Sequence, residues 1–307
     1  MILVTGGHGF LGQHVIKALV KHGEWNFFAP THEAFDLRKQ ADVRELFLYS
    51  KPTTVFHIAA HVGGIGANMK SPGEFFYDNA IMGIELMEQA RKFGVKKYVQ
   101  VGTTCSYPKF TSVPFKEENI WNGYPEETNA GYGIAKRMLL TQAKMYNQQY
   151  GMDIVSVIPT NLYGPGDNFN PASSHVIPAL IRKMVENPKG TIDVWGTGQA
   201  TRDLLYVSDA AEGIVLASEK YDSIEPVNLG SGEEISIQDI VQVLISLTGF
   251  KGIINWDTTK PDGQPRRSMD ITKAASFGWT PMTPLVQGLR ETIQWYRQRG
   301  INEAKNS

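Results

Sequence analysis

The sequence predicts an α/β fold, in which a doubly wound parallel sheet carries helices on both faces and a smaller lobe follows toward the C terminus. Three observations predict it. An apolar run over residues 1–5 is followed by glycines at every third position and then by a helix-like run. Strand-like and helix-like runs alternate through the first half of the 307-residue chain. After Pro159 the alternation weakens, and loops rich in Gly, Pro and Asn begin.

The first predicted element is a strand over residues 1–5, and a turn with Gly6, Gly9 and Gly12 follows it. A helix-like run over residues 13–21 comes next. Strand, glycine turn and helix predict a dinucleotide-binding unit, because the glycines let backbone N–H groups approach a pyrophosphate at a helix start. A tight turn that holds no ligand is the alternative. With the alternation that follows, this unit predicts a Rossmann-like sheet with ligands at the carboxyl ends of its strands.

The other elements of the first half follow from periodicity. Strands are predicted over residues 25–29, 54–58, 98–103 and 154–158, and helices over 38–50, 74–93 and 130–150. The segment from Ser71 to Glu74 supplies one helix with a cap residue, a proline at the first helical position and a glutamate at the third.

The second half predicts a smaller lobe packed over the edge of the sheet. Its elements are a helix over about residues 175–186 and shorter elements over 192–195, 208–219, 236–248 and 284–299. We expect an NAD(P)-binding domain over residues 1–160 and a mainly substrate-binding lobe over 161–307. The chain is expected to cross between the lobes more than once.

Composition excludes several classes of function. The net charge of −1 gives no basic surface for nucleic acid and no strong field for a membrane. The single cysteine, Cys105, excludes an internal disulfide and fits a reducing compartment. The first strand begins at residue 1, which leaves no room for a signal peptide, and no apolar run approaches a membrane span. We therefore expect a cytoplasmic protein without nucleic-acid or membrane partners, and we predict no metal site.

Tyr132 and Lys136 indicate proton and hydride chemistry. They lie four residues apart in a helix-like run and so project from one face. A lysine ammonium near a phenol lowers its pKa, which makes the tyrosine a useful acid near neutral pH. Thr103 closes an apolar run at the expected carboxyl edge of the sheet, and Cys105 follows two residues later. The Tyr-x-x-x-Lys pattern alone is weak evidence for this chemistry, because it occurs by chance in many helices.

Together with the glycine turn, the set of Thr103, Tyr132 and Lys136 resembles the pattern of the extended short-chain dehydrogenase/reductase superfamily. More narrowly, five segments resemble the GDP-L-fucose synthases, at residues 61–68 (HVGGIGAN), 105–109 (CSYPK), 159–165 (PTNLYGP), 174–178 (SHVIP) and 260–266 (KPDGQPR). The resemblance covers about residues 1–297. It implies 3,5-epimerisation and NAD(P)H-dependent 4-reduction of GDP-4-keto-6-deoxy-D-mannose to GDP-L-fucose.

The resemblance also implies catalytic roles. Cys105 is the expected base and His175 the expected acid that invert the centres beside the ketone, and a thiolate beside a histidine is chemically reasonable. Tyr132 would donate a proton to the C4 oxygen and Thr103 would hydrogen-bond it. Lys136 would lower the pKa of Tyr132 and hold the nicotinamide ribose. The alternatives are that Cys105 is a small buried hydrophobe, that His175 is a polar residue at a helix start and that Tyr132 only packs.

The expected binding residues form two sets. The cofactor set is Gly6, Gly7, His8, Gly9, Phe10, Leu11, Gly12, His32, Asp36, Leu37, Val101, Gly102, Tyr132, Lys136, Pro159, Asn161, Leu162 and His175. The substrate set is Asn161, Lys183, Trp195, Arg202 and Asp262, in which the cations would balance a diphosphate and the indole would support a sugar or base. The alternatives are solvated charges for Lys183 and Arg202, a core residue for Trp195 and a helix N-cap for Asp36.

The family expectation for the cofactor is NADPH. Relatives that use it carry arginines near the adenosine 2′-phosphate, but His8 and residues 30–33 (PTHE) stand at those places here. NADH use is therefore possible as well.

Two alternative functions stay open. One is a C4-reductase, with or without epimerisation, that acts on a related GDP-4-keto-6-deoxy sugar such as a heptose. The other is a redox-inactive, dinucleotide-sensing regulatory protein. By analogy with the superfamily, we expect a homodimer formed through two helices per subunit, one of which carries Tyr132 and Lys136.

Overall fold

A computed structural model describes residues 1–305 and the side chains of residues 1–299. In chain order the strands are β1 (Ile2–Thr5), β2 (Phe27–Phe28), β3 (Thr54–His57), β4 (Lys97–Val101), β5 (Ile154–Pro159), β6 (Asn161–Tyr163), β7 (Thr191–Trp195), β8 (Thr201–Arg202), β9 (Leu204–Tyr206), β10 (Val227–Leu229), β11 (Ile235–Ser236) and β12 (Ile253–Asp257). The helices are α1 (Phe10–Lys21), α2 (Gln40–Ser50), α3 (Ile65–Lys70), α4 (Pro72–Lys92), α5 (Ala130–Tyr150), α6 (Val176–Glu186), α7 (Val207–Lys220), α8 (Ile237–Thr248), α9 (Thr272–Ser276) and α10 (Leu285–Lys305).

The central sheet has six parallel strands in the order β10-β5-β4-β3-β1-β2. The order reverses between β1 and β3, because the chain runs outward from β1 in one direction to β2 and in the other to β3, β4 and β5. In sheets of this kind ligands bind in the crevice at the carboxyl ends of the strands beside that reversal. The predicted α/β fold with a doubly wound parallel sheet is confirmed.

Helices cover both faces of this sheet. On one face α1, α7 and α9 share an apolar core with β1, β4 and β5, and Val15, Ile214 and Val157 lie in it. On the other face α2, α4 and α5 share a core that includes Phe47 and Met87. The segments α7, β10 and α9 therefore belong to the sheet although they follow residue 160, and the domain division at that residue remains a prediction.

The second lobe has its own core. Helices α6, α8 and α10 pack there with β7, and buried apolar side chains such as Ile181 and Val241 fill the interior. Within the described part of the chain, three two-stranded sheets, β6–β9, β7–β12 and β8–β11, lie outside the central sheet. Among the described residues, no helix combines the length and apolarity needed to cross a bilayer.

Two details near the start of the chain differ from the sequence-based expectations. Strand β2 covers only Phe27–Phe28, because it lies at the sheet edge and pairs only with Ile2 and Leu3. Asp36 is not a helix N-cap, since α2 begins at Gln40 and the Asp36 carboxylate accepts hydrogen bonds from Arg38 instead.

One helix start is only partly as expected. Ser71 occupies the N-cap position of α4, but its side chain makes no capping hydrogen bond. Pro72 stands at the first helical position, as predicted. The entry of this helix is therefore set by the proline and the backbone rather than by the serine hydroxyl.

Candidate active site

One cavity of about 1070 Å³ runs along the carboxyl edge of the central sheet and into the second lobe. Of the predicted site residues, only Gly7 and Asp36 lie outside its wall. The predicted residues that line it are Gly6, His8, Gly9, Phe10, Leu11, Gly12, His32, Leu37, Val101, Gly102, Thr103, Cys105, Tyr132, Lys136, Pro159, Asn161, Leu162, His175, Lys183, Trp195, Arg202 and Asp262. A Cβ atom at Gly7 would stand 2.7 Å from the Cβ of Ala29, so this glycine serves the packing of the turn.

Tyr132, Thr103 and Lys136 form the part of the wall at the end of β4. Helix α5 projects Tyr132 and Lys136 from one face, because they are one turn apart. The Thr103 hydroxyl lies beside the Tyr132 phenol, and its Oγ1 accepts a hydrogen bond from the Cys105 N–H over 3.2 Å. Lys136 is buried, and its Nζ donates to the carbonyl oxygen of Val101 over 3.1 Å.

Burial controls the protonation of this group. Burial, and then the neighbouring Cys105, raises the pKa of Tyr132, and the neighbouring Thr103 hydroxyl only partly opposes this. Burial lowers the pKa of Lys136 to about 8. Lys136 is not among the groups that shift the pKa of Tyr132 here, since its ammonium is held by the Val101 carbonyl, and the expected lowering by Lys136 stays a prediction. The phenol remains a protonated donor at neutral pH.

Cys105 lies in a short 3-10 turn, Thr104–Ser106, directly after β4 and is partly exposed to the cavity. The Ser106 hydroxyl donates to the Gly133 carbonyl over 2.9 Å, and the Nε of Arg137 donates to the Ser106 carbonyl over 2.9 Å. These bonds tie the turn to α5, the helix that carries Tyr132. The thiol is thereby fixed relative to the phenol.

His175 precedes α6 at its N-cap position, and its imidazole is exposed to the cavity. The loop before it touches the loop after β3, where the Gly64 N–H donates to the Ser173 carbonyl over 3.1 Å. A Cβ atom at Gly64 would stand 2.7 Å from the Ser174 carbonyl oxygen. The imidazole of His175 faces the cavity, but the walls of the cleft enclose it. Burial, and then the charge of Arg267, therefore lowers the pKa of His175.

The glycine turn has the properties of a pyrophosphate site. Gly6 adopts a φ of +71°, and a Cβ atom at Gly12 would stand 2.0 Å from the Gly6 carbonyl oxygen, so the turn and α1 can only approach each other through glycine. Gly9 caps α1, and no side chain hydrogen-bonds the helix start. The first N–H groups of the helix are thus left for an anion from the cavity.

The adenosine end of the cavity contains an arginine that sequence reasoning missed. Arg38 lines the cavity, although no arginine stands at His8 or in the segment 30–33. Its Nε and Nη2 donate to the Asp36 carboxylate, each over 2.9 Å, and its Nη1 lies 3.7 Å from the Asp78 carboxylate. The guanidinium is therefore already engaged by two carboxylates of the protein.

The predicted substrate residues gather at the other end. Arg202 is buried, and its guanidinium donates hydrogen bonds to the backbone carbonyl oxygens of Thr201, Asp262 and Gln264. Burial, and then neighbouring Arg267, lowers the pKa of Arg202. Its side chain is held rigidly and its charge faces the cavity.

Of the other four predicted substrate residues, Asn161 accepts a hydrogen bond from Arg267, and Lys183, Trp195 and Asp262 lie at or beside β7. The Trp195 indole is exposed on the cavity wall, and the Nζ of Lys260 lies 5.6 Å from its ring centroid. Lys183 donates to the Asp193 carbonyl over 2.6 Å. The Asp262 carboxylate accepts hydrogen bonds from the N–H and the hydroxyl of Thr197, so it orients the loop rather than facing the cavity freely.

His61, Gln264 and Arg267 are among the further cavity residues that sequence reasoning missed. His61 stacks on Phe75 with ring centroids 4.2 Å apart, and its Nδ1 bonds the Asp78 carboxylate over 2.9 Å. Two of the three lie inside recognised segments, and Arg267 directly follows one. The recognised segments therefore indicated which parts of the chain form the site. They did not show which of their side chains face the cavity.

The comparisons with known proteins agree with this geometry. A family model described as the NAD dependent epimerase/dehydratase family matches residues 2–230. The chain belongs to this family. Among curated relatives, GDP-L-fucose synthase 1 of Arabidopsis thaliana is 41% identical over 98% of this chain and 94% of the relative. The resemblance seen in the sequence is confirmed.

Solved structures give the same result. A GDP-L-fucose synthetase from Naegleria fowleri bound to NADP matches with a TM-score of 0.88 and 32% identity, over 98% of this chain and 94% of that chain. A GDP-6-OMe-4-keto-L-xylo-heptose reductase from C. jejuni matches with a TM-score of 0.91 and 26% identity, over 97% of both chains. Within the NAD dependent epimerase/dehydratase family, the glycine turn and the uncapped start of α1 identify a site for a nicotinamide dinucleotide.

Proposed function

We propose that this enzyme inverts C3 and C5 of GDP-4-keto-6-deoxy-D-mannose and then reduces C4 with NAD(P)H, forming GDP-L-fucose. One observation carries the proposal: the Thr103–Tyr132–Lys136 group and the pair Cys105 and His175 line the same cavity. The name of the Arabidopsis thaliana relative, at 41% identity, supports it.

The pair performs the inversions. The C4 ketone acidifies the protons on C3 and C5, so a positioned thiolate can remove them. Cys105 takes the proton, the electron pair of the broken C–H bond moves to the ketone oxygen, and His175 returns a proton to the opposite face of the carbon. Each inversion leaves a thiol and a neutral imidazole. A proton must therefore pass from Cys105 back to His175, directly or through water, before the second inversion.

His175 needs an anionic neighbour to act as an acid. Burial and the charge of Arg267 lower its pKa, which favours the neutral imidazole. The diphosphate of a GDP-sugar is a suitable anion, and Arg202 offers it a buried positive charge. Substrate binding would therefore raise the pKa of His175 and supply the acid when it is needed.

The second group performs the reduction. A bound reduced nicotinamide supplies the hydride to C4. Tyr132 donates its phenolic proton to the C4 oxygen, and Thr103, which lies beside that phenol, hydrogen-bonds the same oxygen. The Lys136 ammonium stabilises the phenolate that remains, and it also binds the nicotinamide ribose.

The cofactor is NADPH, and we propose that its advantage over NADH is small. His8 and His32 line the adenosine end, and the only arginine there among the described residues, Arg38, is paired with Asp36 and Asp78. A 2′-phosphate therefore meets no free guanidinium fork. Glu33, on the same wall, offers a carboxylate for a ribose hydroxyl.

A second candidate function is reduction alone of a related GDP-4-keto-6-deoxy sugar such as a heptose. The similarity to the C. jejuni heptose reductase, with a TM-score of 0.91, favours it. The presence of Cys105 and His175 on one cavity favours the epimerase–reductase instead. A redox-inactive sensor is disfavoured by the presence of Tyr132 and Lys136.

The proposal includes the oligomeric state of the enzyme and its place in the cell. Helices α4 and α5 leave Phe76, Tyr77, Met145 and Tyr150 exposed, which suits the two-helix homodimer expected for the superfamily. The single thiol and the near-neutral charge suit a cytoplasmic enzyme without nucleic-acid or membrane partners.

The proposal is tested by incubating the protein with GDP-4-keto-6-deoxy-D-mannose and either NADPH or NADH. The nicotinamide absorbance should fall, and NMR should identify the product as GDP-L-fucose. A product reduced at C4 without inversion at C3 and C5 would support the reductase instead. No oxidation of either cofactor would contradict both.

A further inference from the structure

Arg267 is a buried cation on the wall of the cavity. Its side chain is 6% exposed, and it lines the cavity with Asn161 and Gln264. Its Nη1 donates to the Asn161 Oδ1 over 2.7 Å. Its Nε and Nη2 donate to the Gln264 Oε1 over 3.1 and 3.0 Å. Two side-chain amides therefore fix the plane of the guanidinium.

These acceptors are neutral, so the charge of Arg267 is not balanced by its hydrogen bonds. Among the described residues, no carboxylate forms an ion pair with it, in contrast to its neighbour Arg266, which is 63% exposed and bound to Glu234 over 2.5 Å. A buried cation is normally paired. Arg267 also has five N–H groups, of which these bonds use three. Charge and donors thus remain for an anion in the cavity.

The surroundings of Arg267 locate that anion. Arg267 acts electrostatically on His175, the expected acid, and on Arg202, the expected diphosphate ligand. The Arg202 guanidinium is also within electrostatic range of the Cys105 sulfur. The Arg267 guanidinium therefore belongs to the part of the cavity that holds the acid–base pair. Two positive charges there, at Arg202 and Arg267, suit two separate sites of negative charge.

The permanent anion of the substrate is the diphosphate, which carries one negative charge on each phosphate. A further site of negative charge, separate from the diphosphate, arises during the reaction, because removal of a proton from C3 or C5 places an electron pair on the ketone oxygen. Fixed donors aimed at a developing oxyanion in a water-poor site are effective catalysts, since they need no reorganisation.

We propose that Arg267 stabilises the enolate formed when Cys105 removes a proton from the sugar. This inference rests on the proposed function. The C–H bond breaks, the proton moves to the Cys105 sulfur, and the electron pair is held on the oxygen by the guanidinium. When His175 delivers its proton, the new C–H bond forms and the charge disappears. Arg267 keeps its own protons throughout.

The experiment measures deuterium exchange into C3 and C5 of GDP-4-keto-6-deoxy-D-mannose in D₂O, with NADP⁺ bound so that no hydride is transferred. Arg267→Gln should slow exchange about a hundredfold or more, the usual effect of losing one oxyanion donor. Its KM should change little, and its NADPH reduction of the already inverted 4-ketone should fall less than tenfold. Arg266→Gln, the matched control, should exchange at the wild-type rate.

The alternative outcomes overturn the inference. Equal loss of exchange and reduction would give Arg267 a structural role, and a raised KM with unchanged exchange at saturation would make it a diphosphate ligand. If Arg267→Gln does not fold, Arg267→Lys carries the test. The lysine keeps the charge, so exchange should fall no more than about tenfold, and a hundredfold loss would contradict the electrostatic role. Absence of exchange in the wild type would instead contradict the proposed function.

Discussion

Gly133 lies so close to Cys105 that a Cβ atom at position 133 would stand 2.1 Å from the Cys105 carbonyl oxygen. The obstacle is backbone and cannot rotate away. Helix α5 can therefore approach the turn that carries the thiol only because the residue after Tyr132 is a glycine. This contact determines the distance between the phenol of the reductase group and the thiol of the acid–base pair.

Gly133→Ala should separate α5 from the Cys105 turn. We expect the free energy of unfolding to fall by about 1–3 kcal/mol, the usual cost of overpacking a filled site. We also expect kcat for GDP-L-fucose formation to fall by at least tenfold, because Cys105 and Tyr132 move apart. Chemical denaturation and steady-state kinetics measure both. Gly73→Ala is the control, because a Cβ atom at Gly73 in α4 meets nothing within 4 Å. Equal stability and activity in the two variants would contradict the account.

Tyr132→Phe should remove the proton donor and leave the cofactor site intact. Burial raises the pKa of this phenol, so it stays protonated and able to donate across the neutral range. We expect kcat for reduction to fall at least a hundredfold, while the Kd for NADPH, measured by fluorescence titration, changes little. Tyr124→Phe is a suitable control, because Tyr124 is exposed. Loss of NADPH binding in the Tyr132 variant would show that the phenol has a structural role.

The elements of the sheet could be predicted from local signals. The apolar run of β1, the glycines at 6, 9 and 12 and the periodicity of α1 are adjacent in sequence, and they form one unit in the structure. Strand β10 was not predicted, because three residues, Val227–Leu229, carry too little pattern to assign to a sheet formed mainly by the first half.

The site could be predicted only where sequence segments resemble relatives. Cys105 and His175 are seventy residues apart, and no spacing rule brings them to one cavity. The contact between Gly64 and Ser174, which joins the loop after β3 to the loop that carries His175, appears only in the fold. Arg267 was missed for the same reason, because its burial depends on Asn161 and Gln264 from distant segments.

Asp167 should make stability depend on pH. It is buried, its Oδ2 has no hydrogen-bond partner, and burial raises its pKa to about 7. The folded protein thus keeps a proton that the unfolded chain releases near pH 4. Its free energy of unfolding should fall as pH rises from about 4 to about 7.

Asp167→Asn removes this titration and can keep the hydrogen bond that Oδ1 accepts from the Asn168 N–H. Relative to the wild type, the variant should gain roughly 2–4 kcal/mol between pH 4 and pH 7. Urea denaturation at several pH values measures this difference. The exposed Asp222→Asn should show no such trend. The prediction would be contradicted if the difference in free energy of unfolding between Asp167→Asn and the wild type did not change with pH.

Arginines at positions 8 and 32 should restore a fork for the adenosine 2′-phosphate. Both histidines line the adenosine end of the cavity, and Arg38 nearby is held by Asp36. We expect the double variant His8→Arg/His32→Arg to raise the ratio of kcat/KM for NADPH to that for NADH by at least tenfold. His22→Arg, at the C-cap of α1 and beside Glu212 of α7, controls for added charge. An unchanged ratio would place the 2′-phosphate elsewhere.

The central claim is that one cavity first inverts and then reduces the sugar, and Cys105→Ser in D₂O tests it most directly. The wild type should convert GDP-4-keto-6-deoxy-D-mannose with NADPH into GDP-L-fucose that carries deuterium at C3 and C5 by NMR. The variant should lose deuterium incorporation at least a hundredfold. It should still reduce the already inverted ketone at a rate within tenfold of wild type. Equal loss of incorporation and reduction, or a wild-type product without deuterium at either carbon, would contradict the account.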